Sequence, residues 1–387
     1  MAVDLDSLGT VTRLADAGAT AASASLSTMT GIETAVDVTR VRVSTAEDVR
    51  RTLADPFVGV RIGFEGGLAG ETLLWFDPDC ADRVVEALLP DADEAGSRAG
   101  LQEVGNITIS GFIDGWADHL GESIDITPPT FVRTDGDDPA PEVDRLLEHA
   151  EDETFVFESE LRGVGEDLSF RIFMFPTHES VAGSPFAGIP VERLGQFDAL
   201  VEDGAERATA NMSAMTGIDA AVEVSTLTFV PIESIPGHLD GAVRVGTVLE
   251  FGGPPEGYIA ILFDEPSAEG VVEALMPGMG GGDDGGFEGM RQSAIQEIGN
   301  VLTSGFVDGW ANALETTIDI SPPQFVHDMG PAILDPLAAS LAATQDHAFL
   351  VESEIRTDGS SFGCEVYALP KERDLERALE TLPRAAD

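Results

Sequence analysis

Lysine is almost missing from this chain. Lys371 is the only one in 387 residues, and arginine supplies the rest of the 21 basic residues. Against 70 acidic residues these leave a formal net charge of −49. No basic stripe is present to neutralise phosphates, which argues against nucleic acid as a partner. Cysteine is nearly as scarce. Cys80 and Cys364 belong to no CxxC pair, so no disulfide framework is implied and both read as small buried apolar residues. No apolar run reaches the ~18 residues a membrane span needs. The segment Met1 to Asp6 has neither the basic nor the apolar region of a signal peptide. These absences together predict a cytoplasmic chain with no membrane insertion.

Apolar residues are not in short supply. They make up 43% of the chain, whereas an acidic disordered protein would have lost them. The carboxylates therefore read as the surface of a globular protein, of the kind salt-accumulating halophiles keep in their cytoplasm. At molar salt the Debye length falls to about 3 Å, so such a surface repels itself only weakly. The charge reports habitat rather than function.

The chain repeats itself. Residues 102–132, QEVGNITISGFIDGWADHLGESIDITPPTFV, return at 296–326 as QEIGNVLTSGFVDGWANALETTIDISPPQFV, with 19 of 31 positions identical and a constant offset of 194. Three further segments recur in the same order: 14–32 at 200–218, VVEALLP (84–90) as VVEALMP (271–277), and FVFESEL (155–161) as FLVESEI (349–355). A whole domain has been duplicated. Residues 1–178 form the first module and 192–387 the second, with a Gly/Pro/Ser-rich linker at 179–191. The Gly-rich acidic stretch 278–286 reads as a surface loop of the second copy. A fainter likeness, between the segment at Asp16–Ala19 and that at Glu103–Asn106, suggests that each module is itself a pair of related halves.

Periodicity predicts helices over 7–30, 97–120, 194–216 and 287–315, with small residues on one side. Strands are expected at 35–43, 58–66, 70–76, 154–161 and 169–175, and a short helix near 371–383. Helices mixed with hairpin-like strands predict an α+β domain, and the tight turn at 65–67 favours an antiparallel sheet.

The duplication also tests for chemistry, because an activity kept in both copies should keep its reactive groups. His119 faces Ala313, His327 faces Arg133, His149 faces Ala343, His347 faces Glu153 and Cys364 faces Phe170. No shared histidine or cysteine is left for a metal cluster or a nucleophilic pair. No GxGxxG or P-loop pattern follows a strand. What recurs is Glu103 with Asn106, and Glu297 with Asn300. Residues at i and i+3 share a helix face, so each carboxylate and carboxamide point the same way. Alone, such a pair is more simply two solvated side chains. Gly105, Gly111 and Gly115 leave the helix thinly clad, each at about 1 kcal/mol relative to Ala, either for an approaching partner or for packing inside the fold. An Ile-Asp-Ile-[Thr/Ser]-Pro-Pro stretch follows at fixed distance in both copies and reads as strand entry and turn.

These residues resemble the CheC family of chemotaxis phosphatases, related to CheX and to the middle domains of flagellar switch proteins. The family motif runs Asp or Ser, three residues, Glu, two residues, Asn, twenty-two residues, Pro. Ser293, Glu297, Asn300 and Pro323 match it throughout (motif 293–323). In the first copy (99–129) Glu103, Asn106 and Pro129 match, but Ala99 stands at the leading position. The first half of each module departs from the motif, with Asp16 and Ala19, and Glu202 and Ala205, aligned to the Glu and Asn places. Two sites are expected rather than four. The resemblance implies two CheC-like modules, each a pseudo-twofold pair of halves with long helices packed on a mostly antiparallel sheet, in a chain that looks halophilic and archaeal. It further implies hydrolysis of the aspartyl phosphate of a phosphorylated CheY-like response regulator. Asn106 and Asn300 would orient the attacking water, and Glu103 and Glu297 would pair with a lysine of the regulator. No cofactor of its own is implied, Mg²⁺ being carried by the regulator, and CheD is implied as a second partner. The alternative is a non-catalytic adaptor for CheD or CheY, or a switch-associated interaction protein.

Overall fold

The computed structural model describes residues 5–89, 93–134, 140–147, 153–164, 168–181, 191–217, 219–278, 287–357 and 363–381. The chain divides into two compact units, Asp4–Val191 and Glu192–Asp387. Most of the 179–191 linker and of the 278–286 stretch lies outside the described residues.

In the first unit α1 (Leu5–Thr30), β1 (Thr34–Thr45), α2 (Ala46–Thr52), the hairpin β2 (Phe57–Gly66) and β3 (Gly70–Phe76), and α3 (Pro78–Leu88) make one half. The other half repeats that succession: α4 (Glu94–Leu120), β4 (Ile124–Ile126) with β5 (Thr130–Thr134), α5 (Ala140–Leu146), the hairpin β6 (Glu153–Gly163) and β7 (Ser169–Pro176), and α6 (His178–Val181). All ladders are antiparallel, in the order β1-β6-β7-β3-β2, with β4 and β5 both on the far side of β2. Exchanging the halves, β1 for β5, β2 for β6 and β3 for β7, returns the same order reversed. The unit is a pseudo-twofold pair.

The second unit is built alike from α7 (Val191–Thr216), β8 (Ala220–Pro231), a 3₁₀ helix (Ile232–His238), β9 (Val243–Gly252), β10 (Gly257–Asp264) and α8 (Glu265–Leu275). Its second half holds α9 (Met290–Ala313), β11 (Asp319–Ile320), β12 (Gln324–Met329), α10 (Gly330–Leu341), β13 (His347–Thr357), β14 (Gly363–Pro370) and α11 (Glu372–Thr381). Its order is β8-β13-β14-β10-β9, with β11 and β12 beyond β9.

Successive strand residues point to opposite faces, and each face carries its own core. One face meets the long helices. There Trp116 of α4 is fully buried, with its ring edge-on to Phe157 at 5.1 Å, and in the second unit Trp310 of α9 meets Phe251 edge-on at 5.7 Å. On the other face short helices cover a second cluster. Val49, Val143 and Leu146 of α2 and α5 lie over Leu73, Trp75, Phe173 and Phe175. In the second unit the 3₁₀ helix and α10 cover Ala260, Leu262, Leu350 and Leu369.

The long helices within a unit cross through their glycines. A Cβ on Gly115 would stand 2.9 Å from the Gly18 Cα, and one on Gly309 would stand 2.9 Å from the Gly204 Cα. Small residues on α1 and α7 thus serve close helix packing, which is also what lets each pair of long helices lie flat on one sheet.

Candidate functional site

Each site helix is fixed on three sides. Gly105 sits on the sheet, where a Cβ would stand 2.5 Å from Val60 Cγ1 of β2, and its counterpart Gly299 is pressed in the same way on Thr247 of β9. Gly111 and Gly115 face α1. Inside the fold, Val104, Ile109, Phe112 and Trp116 are buried. The glycines of α4 are therefore accounted for by packing within the unit, the second of the two explanations the sequence allowed.

The remaining side faces outward and holds the polar pair. Glu103 is exposed and Asn106 half-buried, and Glu297 and Asn300 repeat that pattern. Among the described residues none of these four side chains makes a hydrogen bond or ion pair, whereas the backbone carbonyls of Asn106 and Asn300 accept from Ser110 Oγ (2.6 Å) and Ser304 Oγ (2.8 Å). At i and i+3 the paired side chains start roughly 5–6 Å apart. The structure thus brings Glu103 to Asn106 and Glu297 to Asn300, each pair within its own unit. At the head of the face Ser293 is exposed, with its hydroxyl on the Gly289 carbonyl at 3.1 Å, while Ala99 offers no such group. Met290, one turn before Ser293, is 60% exposed.

The Pro-Pro turn flanks this face. Thr127 is clamped to β2, its N–H donating to the Gly63 carbonyl (2.8 Å) and its hydroxyl accepting from the Gly63 N–H (2.8 Å). Ser321 makes the same pair of bonds with Glu250, both at 2.8 Å. From the helix side Gln102 Nε2 donates to the Pro129 carbonyl, and Gln296 Nε2 to that of Pro323, each at 2.9 Å. Sequence reasoning gave no role to Gln102 and Gln296, and read Thr127 and Ser321 only as part of a strand entry and turn. Their signal was their recurrence in both copies, as the Gln of QE[VI]GN and the hydroxyl residue before Pro-Pro. In the first unit Arg98 adds a cation at the rim, stacked 5.1 Å from the Phe131 ring centroid. Gln292 occupies that position in the second.

The first-half helices present something different. The long helices α1, α4 and α7 are each followed by a glycine with positive φ, Gly31, Gly121 and Gly217, and α9 by Glu315 at φ 49. Counted back from these residues, the place of Asn106 and Asn300 falls on Asp16 and Glu202, and that of Glu103 and Glu297 on Arg13 and Ala199. Ala19 and Ala205, aligned to Asn in the sequence, are fully buried. The sequence alignment of the halves was displaced because small residues recur in all four helices for packing. Either way, no Glu–Asn pair stands on α1 or α7. Among the described residues no group of three or more His, Cys, Asp or Glu could hold a metal ion, and no helix is long and apolar enough to cross a membrane.

The model of the CheC-like family matches twice, at residues 97–133 and 290–327, which are the two site helices with their Pro-Pro turns. A curated relative, named "Putative CheY-P phosphatase CheC1", of Halobacterium salinarum, is 33% identical over 184 residues; these are 47% of this chain and 92% of the relative. Among solved structures, FliY of Thermotoga maritima aligns with a TM-score of 0.41 at 18% identity, covering 50% of this chain and 96% of that one. The FliM middle domain of H. pylori aligns with a TM-score of 0.36 at 13% identity, covering 49% and 98%.

Proposed function

The chain belongs to the CheC-like family as a two-module member, and from that premise we propose that it dephosphorylates a CheY-like response regulator. The observation that carries the reading is the Glu–Asn pair. It stands on the outward side of its helix with its side chains unengaged among the described residues, and it does so twice, on the two segments that the family model matches. The name of the Halobacterium salinarum relative supports the substrate class.

Hydrolysis of an aspartyl phosphate forms a bond from water oxygen to phosphorus and breaks the one from phosphorus to the aspartate oxygen, releasing inorganic phosphate. The transition state is loose, so placement and charge stabilisation matter more than a strong base. A carboxamide suits this task. Its oxygen accepts from the water while its NH₂ donates to a phosphoryl oxygen, and it has no charge to repel the anion. Asn106 and Asn300 take that role. Glu103 and Glu297, one helical turn earlier and more exposed, pair with a cation of the regulator and fix the carboxamide over the phosphoryl group. Mg²⁺ would be carried by the regulator and would offset the phosphoryl charge there.

Phosphate release from the organism's phosphorylated CheY-like protein, measured in molar KCl with and without CheD, tests this. Wild type accelerates release, Asn106→Ala/Asn300→Ala removes the acceleration while retaining binding, and Glu103→Ala/Glu297→Ala weakens binding. Equal rates for wild type and the double Asn variant would refute the enzyme reading. Binding by wild type without acceleration would leave an adaptor, a role that Asp16 and Glu202 in place of carboxamides on the first-half helices also fit.

A further inference from the structure

A Pro-Pro turn is hard to hold in place. Its prolines have no N–H to donate, so it can be fixed only through its carbonyls and through the residues on either side. In both units the residue before the prolines is bonded twice to a strand, and the carbonyl of the second proline is taken by a glutamine of the site helix. That glutamine immediately precedes the Glu of the pair. Its side chain turns toward the turn while Glu103 or Glu297 faces outward. Pro128 and Pro322 remain exposed beside the pair, and Pro129 and Pro323 are half-buried. The same bond, at the same length, recurs in two units whose flanking residues differ (Arg98 against Gln292, Ala99 against Ser293).

Resting on the phosphatase reading, we propose that Gln102 and Gln296 are positioning residues. Their bonds make the Pro-Pro turn a fixed wall beside the Glu–Asn face, so that a docked regulator meets helix and turn in one register. The turn is a docking contact, so it contributes to binding of the regulator in ground state and transition state alike. Gln102 and Gln296 touch neither water nor phosphate in this scheme. They set where the partner sits, so their loss is read in KM before kcat.

The test uses the full chain with Gln102→Ala/Gln296→Ala and with Gln102→Glu/Gln296→Glu, assayed for regulator dephosphorylation in molar KCl. The Ala variant raises KM about tenfold, the scale of one lost hydrogen bond per site, and keeps kcat within about threefold. The Glu variant separates positioning from bulk folding. An ionised carboxylate only accepts and opposes the proline carbonyl, whereas the protonated acid donates as the amide does. Its KM, taken as a ratio to wild type at the same pH, is therefore raised near pH 7 and falls toward one as pH drops toward the range of a carboxyl group, about 4.3. The Ala ratio stays flat. Charged groups on the elements around the bond, Glu103, Arg98 and Asp125 in the first unit and Glu297, Glu250 and Asp319 in the second, are common to wild type and variant and enter both KM values. If wild type accelerates release and both variants match its KM, or lose only melting temperature, the positioning role is overturned and the phosphatase reading stands. A wild type with no acceleration overturns both.

Discussion

Asn106 and Asn300 are half-buried carboxamides on otherwise well-packed helices, and such groups ordinarily find a partner within the fold. Theirs is expected from outside, which is why two unremarkable residues carry the functional reading. Cys364 is the opposite case, a reactive residue type with nothing to do. Burial pushes its thiol well above the usual range, and the nearby Glu365 and Glu354 push it further in the same direction. The thiolate is the reactive form, so Cys364 is expected to resist thiol reagents at pH 8 in native protein and to react when denaturant is added. Labelling of the native chain at the rate of a free cysteine would contradict this. The sequence had already placed both cysteines inside, as small residues outside any CxxC pair, and both are buried. It showed Gln102 and Pro129 recurring in both copies but not that they are bonded, because a contact between residues 27 positions apart leaves no periodicity.

At the level of elements, a site helix keeps its face in place by lying directly on a strand. Gly105→Ala should therefore destabilise the first unit by about 1–3 kcal/mol, since overpacking against Val60 outweighs the ~1 kcal/mol that Ala gains in helix propensity. Denaturant unfolding reads the loss, and a smaller loss in a Val60→Ala background identifies the contact. A gain in stability would mean that the glycine has room. The four long helices and the hairpins were legible because their periods run for many residues. The short α2, α5 and α10 and the 3₁₀ helix were not, since helices of one to three turns draw their stability from the face they cover. The register between halves was misread for a related reason. Asp16–Ala19 resembles Glu103–Asn106 in small residues, but those residues answer to the α1–α4 crossing, and the glycine that ends each helix is the better marker.

For the molecule as a whole, −49 charges must be carried on one surface. With 21 basic residues against 70 acidic ones, most carboxylates have no cation to pair with. Pairs such as Arg50 with Asp144 and Arg207 with Asp203 are exposed, and exposed pairs contribute only about 0–1 kcal/mol. Screening is then the main relief from self-repulsion. The melting temperature should climb steadily from dilute buffer to molar KCl, and a flat profile would separate the acidic surface from salt tolerance. Duplication, family and fold were all readable from the chain, because a repeated motif leaves its mark at every level. The number of working sites was not, since Ala99 departs from the motif in the first copy while Glu103 and Asn106 keep it.

The most direct measurement is the rate of phosphate release from the phosphorylated regulator with wild type, Asn106→Ala, Asn300→Ala and the double variant, in molar KCl at saturating regulator. Two independent sites predict that each single variant keeps part of the acceleration, the Ser293-containing second unit the larger share, and that the double variant loses it by about 100-fold or more. A double variant as fast as wild type would contradict the account.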